Sequence, residues 1–537
     1  MNRLYYGDCL TIMRDMPPES VDLIYLDPPF NSNRDYSAIY KDETGRPLPD
    51  QLEAFSDSWA LDAVRERAIR TMPVLMREAG VDDDMAEFWR AWPNALRKTQ
   101  PGLLAYLSYM AERLLPMRGL LKPTGSIYLH CDDEVVHYMK VVMDSIFGRT
   151  NFRNHISWQR IKGAGKRSQY AIRNYGHSSD MILFYSAGTT YTFNAGSIAI
   201  LYDNIEKSFP LMDGKGRYKR RSPFRPPGLG PRPNLCYEYK GVFPPHPSGW
   251  TVKRSKLVEL DDAGEIEWAG QKPWRKQRPS SGIVPNNIWA DINTPSRSER
   301  LGYATQKPLA LLDRIIRASS NEGDLVLDPF CGCATTLEAA HRLNRRWVGI
   351  DIAIHAIKRV AKVRLQDRLG LTEGTDFTIE GVPHSLEGAR DLWQRDPYHF
   401  QKWAVEQVDG FVTARRTGDG GIDGRLYFDT GAAHLAGMVL EVKGGANIGI
   451  GVVRDLRGVL EREDVPMAGL IVLEELGERK ERNFRREMAQ AGDLDVGGIL
   501  YPRMQMLTVQ DILVGRRFQT PSIARARGEG QPNLPLG

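Results

Sequence analysis

A strand, a turn of small residues, a helix and a second strand follow one another in residues 324–351, and this unit restricts the fold most. Residues 324–328 and 347–351 are short apolar runs that predict buried strands. The turn at residues 329–336 lies between them, and we expect a helix from there to about Leu343. Strands that alternate with a helix in this way are typical of an α/β domain with a parallel sheet.

The turn of this unit has the properties of a nucleotide-type binding site. Small residues allow a ligand to approach the backbone, and the N-terminus of the following helix offers free N–H groups. Asp351 ends the second strand and is placed to accept hydrogen bonds from ribose hydroxyls. Cys331 and Cys333 resemble a metal-binding pair, but the tight turn explains them better, and the sequence contains no C-x-x-C motif.

A second apolar run, residues 21–26, ends abruptly at Asp27, Pro28, Pro29 and Phe30. It predicts a buried strand, which the prolines stop because they fix φ and lack an N–H. Asp27 then lies at the carboxyl end of a strand, where open α/β sheets bind ligands. A carboxylate, a fixed carbonyl and an aromatic ring suit a planar heterocycle with an exocyclic amine, which they can make nucleophilic towards a methyl group. In a duplex such a base must first be flipped out of the stack. The alternative is an ordinary strand followed by a proline-rich turn.

Length and composition indicate an ordinary protein of two or three domains. The chain has 537 residues, too many for one core, with 42% apolar and 26% charged residues and a net charge of +5. Its five cysteines support neither a disulfide framework nor a zinc site. We see no signal peptide and no apolar run long enough to span a bilayer, so we expect a cytoplasmic protein without a membrane partner.

Five motifs stand in an order that resembles the DNA amino-methyltransferases of the β class. That class includes the modification subunits of type III systems and many adenine methyltransferases, and in it the catalytic motif precedes the cofactor motif. The resemblance covers roughly residues 1–365. The motifs are Gly7-Asp8, Asp27-Pro28-Pro29-Phe30, Thr305-Gln306-Lys307-Pro308, the stretch from Asp328 to Thr336, and Asp351.

The resemblance implies a Rossmann-like, S-adenosylmethionine-dependent methyltransferase sheet and a role for each motif. Asp27, Pro28, Pro29 and Phe30 would hold the target base; Asp8 would contact the cofactor adenine and Asp351 its ribose; Asp328, Phe330, Gly332 and Lys307 would line the methionine end.

Two points in these motifs leave questions open. Ala334 stands where the family usually has glycine, and its methyl group could crowd the cofactor or shift the turn. An aspartate at the first position of the catalytic motif favours adenine N6, but cytosine N4 is chemically similar. An RNA methyltransferase is a further alternative.

Residues 151–295 differ in character from the flanking α/β segments, and we expect an irregular insert that recognises double-stranded DNA. Between Lys215 and Arg232 the chain carries seven cations and no acid, and aromatic residues are interleaved nearby. Positive charge binds phosphates, while polar and aromatic side chains on loops can read base edges. A solvated surface excursion is the alternative. The cations are Lys215, Arg217, Lys219, Arg220, Arg221, Arg225 and Arg232, followed by a second cluster of Lys272, Arg275, Lys276 and Arg278.

Residues 386–519 predict a second, smaller α/β domain after a linker at residues 371–385. Asp423, Glu441 and Lys443 can converge on a small sheet, where two carboxylates hold Mg²⁺ and polarise a water for phosphodiester attack. Through Gly-Gly-Ile-Asp-Gly and Glu-Val-Lys-Gly-Gly the segment resembles the PD-(D/E)xK nuclease fold of Mrr-type restriction endonucleases. In that family a helix carboxylate assists metal binding, here Glu406, although an ordinary surface glutamate explains it nearly as well. A surface ion pair is the alternative for the set.

The sequence therefore predicts a restriction–modification arrangement in one chain. Residues 1–150 and 296–370 would form the catalytic and cofactor halves of an adenine-N6 DNA methyltransferase, and residues 386–519 a Mg²⁺-dependent endonuclease. A non-cleaving DNA-binding domain at the C-terminus and a homodimer both stay open, and we expect residues 520–537 to be disordered.

Overall fold

The computed structural model divides the chain into two compact units, Met1–Phe193 with Asn287–Gly537, and Asn194–Asn286. Pro29, Phe30 and Thr305 of the predicted motifs lie outside the described residues. The structure describes residues 1–28, 59–161, 175–280, 282–301, 306–354, 356–357, 362–412, 421–430, 435–445 and 447–521, and the backbone of a small antiparallel pair, Ser37–Ala38 with Leu52–Glu53.

A nine-stranded sheet forms the centre of the larger unit in the described part of the chain. All neighbouring strands are parallel, except that Ser179–Ser186 runs antiparallel to both of its neighbours. The predicted α/β class is confirmed, with one antiparallel strand added. From edge to edge the strands are Ile288–Trp289, Phe152–Gln159, Ser179–Ser186, Leu121–Cys131, Val21–Leu26, Leu325–Asp328, Arg346–Asp351, Asn2–Tyr6 and Phe377–Glu380.

Helices cover both faces of this sheet, and the strand Val21–Leu26 is apolar except for Asp22, which pairs with Lys122. Leu23 and Tyr25 join the hydrophobic core on one face, while Ile24 and Leu26 join the core on the other. A strand buried on both faces needs apolar residues at successive positions. The helices are Cys9–Arg14, Ala63–Glu78, Asp83–Ala91, Pro93–Arg97, Pro101–Leu120, Val136–Phe147, Leu309–Ser319 and Thr335–Arg342.

The expected linker at residues 371–385 is corrected by the structure. Its central part forms the edge strand Phe377–Glu380, which pairs in parallel with Asn2–Tyr6, and Phe377 is fully buried. The other three residues of this strand are only partly buried, so the sequence shows neither an apolar run nor a strict alternation.

A five-stranded mixed sheet forms the C-terminal part of the larger unit. Its first three strands pair antiparallel and its last three in parallel. Helices pack beside it. A two-stranded ribbon, Asp493–Val496 with Ile499–Pro502, comes just before the last strand of the sheet in the chain. In order the strands are Phe411–Val412, Gly424–Phe428, Ala436–Lys443, Met467–Val472 and Met504–Thr508, and the helices are Leu386–Arg395, Pro397–Gln407, Gly451–Arg462, Glu478–Met488 and Val509–Leu513.

The two sheets of the larger unit share one hydrophobic core. Phe400 and Trp403, on the helix Pro397–Gln407, belong to the same buried cluster as Phe377 of the large sheet. On that helix the ring of His399 lies edge-on to Tyr6, with the ring centroids 4.3 Å apart. The C-terminal part is therefore packed against the large sheet.

The smaller unit, Asn194–Asn286, contains regular structure, so the expectation of an irregular insert over residues 151–295 is corrected. The flanking strands of that range belong to the large sheet, and the compact part is narrower. Trp250 and Leu257 lie in its own small core. Its antiparallel sheet has the strand order Ile266–Ala269, Lys272–Gln277, Gly216–Arg221 and Leu211–Asp213. The same unit contains the helices Ile205–Ser208 and Arg254–Asp262.

The described ranges contain no helix that is both long and apolar enough to cross a membrane.

Candidate active site

Four aspartates stand in a row at the carboxyl edge of the large sheet. Four neighbouring strands end at an aspartate or one to two residues before one. In the order of the strands across the sheet, the aspartates are Asp27, Asp328, Asp351 and Asp8. The strands lie far apart in sequence, but their parallel pairing brings their carboxyl ends to one edge. The structure thus places the predicted site residues of both halves of the chain side by side.

A pocket opens between Asp27 and the turn at residues 329–336. Among its lining residues are five that the motifs predict: Asp27, Lys307, Asp328, Phe330 and Gly332. Tyr25, Gln306, Thr335 and Thr336 also line it and were not predicted individually.

One carboxylate oxygen of Asp27 is bonded to a lysine, and the other has no hydrogen-bond partner among the described residues. Lys307 Nζ donates a hydrogen bond to Asp27 Oδ2, and the side chains are only 10% and 17% exposed. Asp27 Oδ1 is buried and has no hydrogen-bond partner among the residues that the structure describes. The resemblance implies that Lys307 lines the methionine end, but here its ammonium group contacts the carboxylate of Asp27. A buried acceptor without a donor is costly, so Asp27 Oδ1 is suited to receive one from a ligand.

The turn beside Asp27 uses left-handed backbone at two positions. Gly332 has φ +47°, and Ala334, which directly precedes the helix Thr335–Arg342, has φ +59°. Glycine adopts this conformation more readily than alanine, which gives a physical reason for the family's usual glycine at this position. The methyl group of Ala334 is fully buried in the hydrophobic core, and Ala334 is not among the pocket-lining residues. We therefore find no support for the expectation that it crowds the cofactor.

Asp351 ties the turn to the next strand. Its Oδ2 accepts a hydrogen bond from Gly332 N at 2.8 Å, and its Oδ1 accepts one from Ala353 N, also at 2.8 Å. Burial raises the pKa of Asp351, and these backbone N–H groups oppose that shift. The N–H of Ile352 also bonds this carboxylate, so of its roughly four acceptor sites about one is left for a hydroxyl group of a ligand.

Asp328 lies deeper and has the more strongly perturbed ionisation. Burial raises the pKa of Asp328 to about 7, against the hydrogen bonds from the Thr336 side chain and from Phe330 N. The charges of Asp27 and Asp351 raise it further. Asp328 thus changes its charge near neutral pH, at the bottom of the pocket.

Asp8 caps the helix Cys9–Arg14 and also forms a buried ion pair. Its Oδ1 accepts from Leu10 N at 2.8 Å, and Arg113 Nη2 lies 2.6 Å from its Oδ2. Arg113 is 3% exposed and stacks on the ring of Tyr109, 3.5 Å from the centroid. Sequence reasoning missed Arg113, although a single arginine on the buried side of an apolar helix was a usable signal.

A chain of buried polar groups lies beside the pocket and was also missed. Tyr25 Oη and His130 Nδ1 are 3.0 Å apart, and His130 Nε2 lies 3.1 Å from Asp180 Oδ2. Arg160 forms an ion pair with the other oxygen of Asp180 at 2.9 Å. Burial acts to raise the pKa of Asp180, but His130 and the positive charges of Lys307 and Arg160 hold it below its usual value. An ionised Asp180 can fix the ring of His130 and, through it, the hydroxyl of Tyr25.

The acidic stretch Cys131-Asp132-Asp133 leads from the strand Leu121–Cys131 into a turn before the helix Val136–Phe147. Asp132 Oδ1 accepts hydrogen bonds from Glu134 N and Val135 N, both at 3.1 Å. Across the described ranges, no group of three or more His, Cys, Asp or Glu side chains is arranged to hold a metal ion.

The C-terminal sheet brings Asp423, Glu441 and Lys443 together. Asp423 Oδ2 accepts from Val442 N at 2.7 Å, and Lys443 Nζ lies 2.7 Å from Glu441 Oε1. Burial raises the pKa of Glu441, and the Lys443 ammonium group opposes the shift. Glu441 Oε2 is buried without a hydrogen-bond partner in the described part of the chain. Glu406 lies on the helix Pro397–Gln407 and does not complete a three-carboxylate cluster with this pair.

The fold and the site together define an α/β protein that can bind a nucleotide-type ligand at the carboxyl edge of a mainly parallel sheet. Residues 21–362 match the sequence model of the N6/N4 DNA methylase family. This match covers well over half of the chain, which therefore belongs to that family. It ends before the C-terminal sheet.

Three curated relatives show how far the similarity extends. The Type II methyltransferase M.EcaI of Enterobacter cloacae is 36% identical over 263 residues, 48% of this chain and 57% of that protein. The Mod subunit of the Type III restriction-modification enzyme StyLTI of Salmonella typhimurium is 27% identical over 367 residues, 64% of this chain and 50% of that protein. The DNA adenine methyltransferase YhdJ of Escherichia coli is 23% identical over 357 residues, 66% of this chain and 80% of that protein. The chain thus spans about half the length of the first two relatives.

Proposed function

We propose that this chain transfers a methyl group from S-adenosylmethionine to the exocyclic N6 of a flipped adenine in double-stranded DNA. This proposal rests on Oδ1 of Asp27, which lies in the same pocket as the turn at residues 329–336 and has no hydrogen-bond partner among the described residues. It is a hydrogen-bond acceptor where a nucleophilic amine would have to sit. The similarity to YhdJ, whose name describes an adenine methyltransferase, supports adenine over cytosine.

The residues of the pocket can activate the amine without a strong base. Asp27 Oδ1 and the carbonyl of Pro28 accept the two amine hydrogens and draw the nitrogen lone pair out of conjugation with the ring. Lys307 keeps the carboxylate in place through its charge-assisted bond to the other oxygen. Because the amine loses its proton only after attack, positioning and electrostatics supply most of the rate. Phe30 would stack on the base.

The residues of the strand ends fit the cofactor, which supplies an electrophilic methyl group when bound. Asp351 would take a ribose hydroxyl with its remaining acceptor site, and Asp328, Phe330 and Gly332 would line the methionine end. Asp8 would contact the adenine, although its carboxylate already accepts hydrogen bonds from Leu10 N and Arg113.

Nucleoside analysis of methylated DNA tests the proposal. DNA treated with the chain and S-adenosylmethionine should yield N6-methyladenine on complete digestion. The variant Asp27→Ala should make none, yet bind the cofactor with nearly parental affinity by calorimetry. N4-methylcytosine without N6-methyladenine would refute the adenine assignment, and loss of cofactor binding in Asp27→Ala would mean that the two pockets are misplaced.

We propose a second activity, Mg²⁺-dependent cleavage of DNA, for the C-terminal sheet. This proposal is supported by Glu441 Oε2, which is buried near Asp423 and Lys443 and has no hydrogen-bond partner among the described residues. Two carboxylates and waters are a sufficient oxygen set for Mg²⁺, which prefers to keep several waters. When bound, the ion would polarise a water and the scissile phosphate, while Lys443 stabilises the developing charge. With the methyltransferase this makes a restriction–modification enzyme in one chain.

Cleavage assays decide between this activity and a C-terminal domain that only binds DNA. Plasmid DNA with and without prior methylation by the chain should be cut in one of the two states when Mg²⁺ is present. Asp423→Ala and Lys443→Ala should abolish cutting, while methylation persists. Absence of Mg²⁺-dependent cleavage in the parent chain on every substrate would refute the nuclease and favour DNA binding alone.

A further inference from the structure

Two central strands of the smaller unit, Gly216–Arg221 and Lys272–Gln277, separate their cations by face. The strands pair antiparallel, with Arg221 directly opposite Arg275 and Arg220 opposite Lys276. Side chains alternate between the faces of a sheet, so the two pairs lie on opposite faces. We call the face of Arg220 and Lys276 the paired face, and that of Arg221 and Arg275 the arginine face.

The two opposed cations of the paired face, Arg220 and Lys276, each have a carboxylate partner. Arg220 Nε donates to Glu267 Oε2 at 3.1 Å, and Lys276 Nζ donates to Asp213 Oδ2 at 2.8 Å. The acids come from the outer strands of the same sheet. Positive charge on this face is therefore balanced within the protein.

On the arginine face Arg217 is balanced by Glu206, but the opposed pair Arg221 and Arg275 has no such balance in the described residues. Arg221 Nε donates to the neutral amide oxygen of Gln277 at 2.8 Å, and neither Arg221 nor Arg275 forms an ion pair with a carboxylate in the described residues. Lys219, on the same face, lies 4.7 Å from the ring centroid of Phe209. Like charges directly opposite each other on neighbouring strands are destabilising.

We propose that the arginine face binds the phosphate backbone of the DNA, with Arg221 and Arg275 as its main contacts. An anion between the two guanidinium groups removes their repulsion, and a guanidinium matches the geometry of phosphate oxygens. Phosphate contacts fix position and orientation but do not read the base sequence. The inference rests on the proposed function, because it requires that DNA is the substrate, and it divides the basic cluster into cations that are balanced internally and cations available to DNA.

The two faces predict opposite results for two variants of equal charge change. Each phosphate contact contributes about 0.9 to the slope of log affinity against log salt, so losing two contacts lowers the slope by about 1.8. Between about 50 and 200 mM salt, the parent chain should therefore lose about tenfold more affinity than Arg221→Gln/Arg275→Gln. This variant should also unfold at the same temperature as the parent or at a higher one, because a repulsion is removed.

The matched control is Arg220→Gln/Lys276→Gln on the paired face. It removes the same net charge, but it leaves Glu267 without its cation and Asp213 with Arg278 as its remaining cationic partner. We expect it to unfold at a lower temperature and to keep nearly the parental salt slope. Affinity of the full chain for a fluorescein-labelled duplex of about 30 base pairs is followed by anisotropy over a salt series.

The possible outcomes distinguish failure of the arginine-face proposal from failure of the proposed methyltransferase function. A parental slope in Arg221→Gln/Arg275→Gln, or equal losses in both double variants, would overturn the assignment. If the double variant does not fold, the single variant Arg275→Gln replaces it, and its slope of log affinity against log salt should fall by about 0.9. Methyl transfer to DNA by the parent chain at low salt is measured in parallel. If the parent methylates no DNA, the proposed function fails; if it methylates DNA and the slope is unchanged, only the arginine face fails.

Discussion

Replacing His399 by phenylalanine changes the ionisation of the junction between the large sheet and the helix Pro397–Gln407 but keeps its aromatic packing. His399 is 3% exposed, its ring lies edge-on to Tyr6, and its Nε2 has no hydrogen-bond partner among the described residues. Burial lowers the pKa of His399 from 6.5 to about 4, with Asp396 and Asp8 acting in the opposite direction. The folded chain therefore contains a neutral ring at a pH where the unfolded chain is protonated.

The direction and size of the effect follow from this difference in proton binding. As pH falls from 6.5 to about 4, the unfolded chain binds a proton that the folded chain does not, so the fold loses stability over that range. A shift of one pKa unit corresponds to about 1.4 kcal/mol, so the full loss is about 3 kcal/mol. At pH 5 the same relation gives about 2 kcal/mol, which His399→Phe should recover.

Urea unfolding of the parent and of His399→Phe at about pH 7.5 and pH 5 tests this expectation. Asp328 acts in the opposite sense: its raised pKa means that the folded chain binds the extra proton, which favours the fold as pH falls. Only the difference between the two chains is therefore informative. At the higher pH the substitution should cost less than about 1.5 kcal/mol, since it replaces one planar ring by another of similar size and Nε2 has no hydrogen bond to lose among the described residues. A difference that stays constant from one pH to the other would show that water reaches the ring and that the burial argument is wrong.

Three further substitutions test the site residues. Cofactor affinity should fall below about pH 7 as Asp328 is protonated, and Asp328→Asn should abolish that dependence in calorimetric titrations; a parental pH profile in the variant would contradict this. Ala334→Gly should leave cofactor affinity unchanged and alter the free energy of unfolding by less than about 1 kcal/mol, because relief of the left-handed strain offsets the lost methyl contact and the added chain entropy; tighter cofactor binding would revive the crowding hypothesis. Arg113→Met should destabilise the fold by about 3 kcal/mol, since it leaves the Asp8 carboxylate without its buried cation, and an unchanged urea midpoint would refute that reason.

The elements that carry strong local patterns could be predicted from the sequence. The strands Leu325–Asp328 and Arg346–Asp351 and the helix Thr335–Arg342 end within one residue of the predicted ends, and the strand Val21–Leu26 ends just before Asp27 and the prolines. These ends follow from periodicity, from apolar runs and from the local chemistry of proline, all of which act between neighbours in the chain.

The contacts that could not be predicted join residues far apart in the chain. Asp27 meets Lys307 across 280 positions, and His130 meets Asp180 across 50. Between Lys215 and Arg232 the sequence has seven cations and no acid, yet Glu267, well downstream, balances Arg220. Partner choice of this kind depends on sheet register, which the sequence alone does not show.

The position of the first strand in the large sheet has a consequence for synthesis on the ribosome. Asn2–Tyr6 pairs with Arg346–Asp351 on one side and with Phe377–Glu380 on the other. The strand Asn2–Tyr6 thus waits until both partners have been made, a delay of roughly 20 to 70 s at about 5–20 residues per second. During that time both of its edges can pair with another nascent chain. Slow translation of the middle of the gene, or early termination before residue 346, should therefore favour aggregation of this protein in the cell.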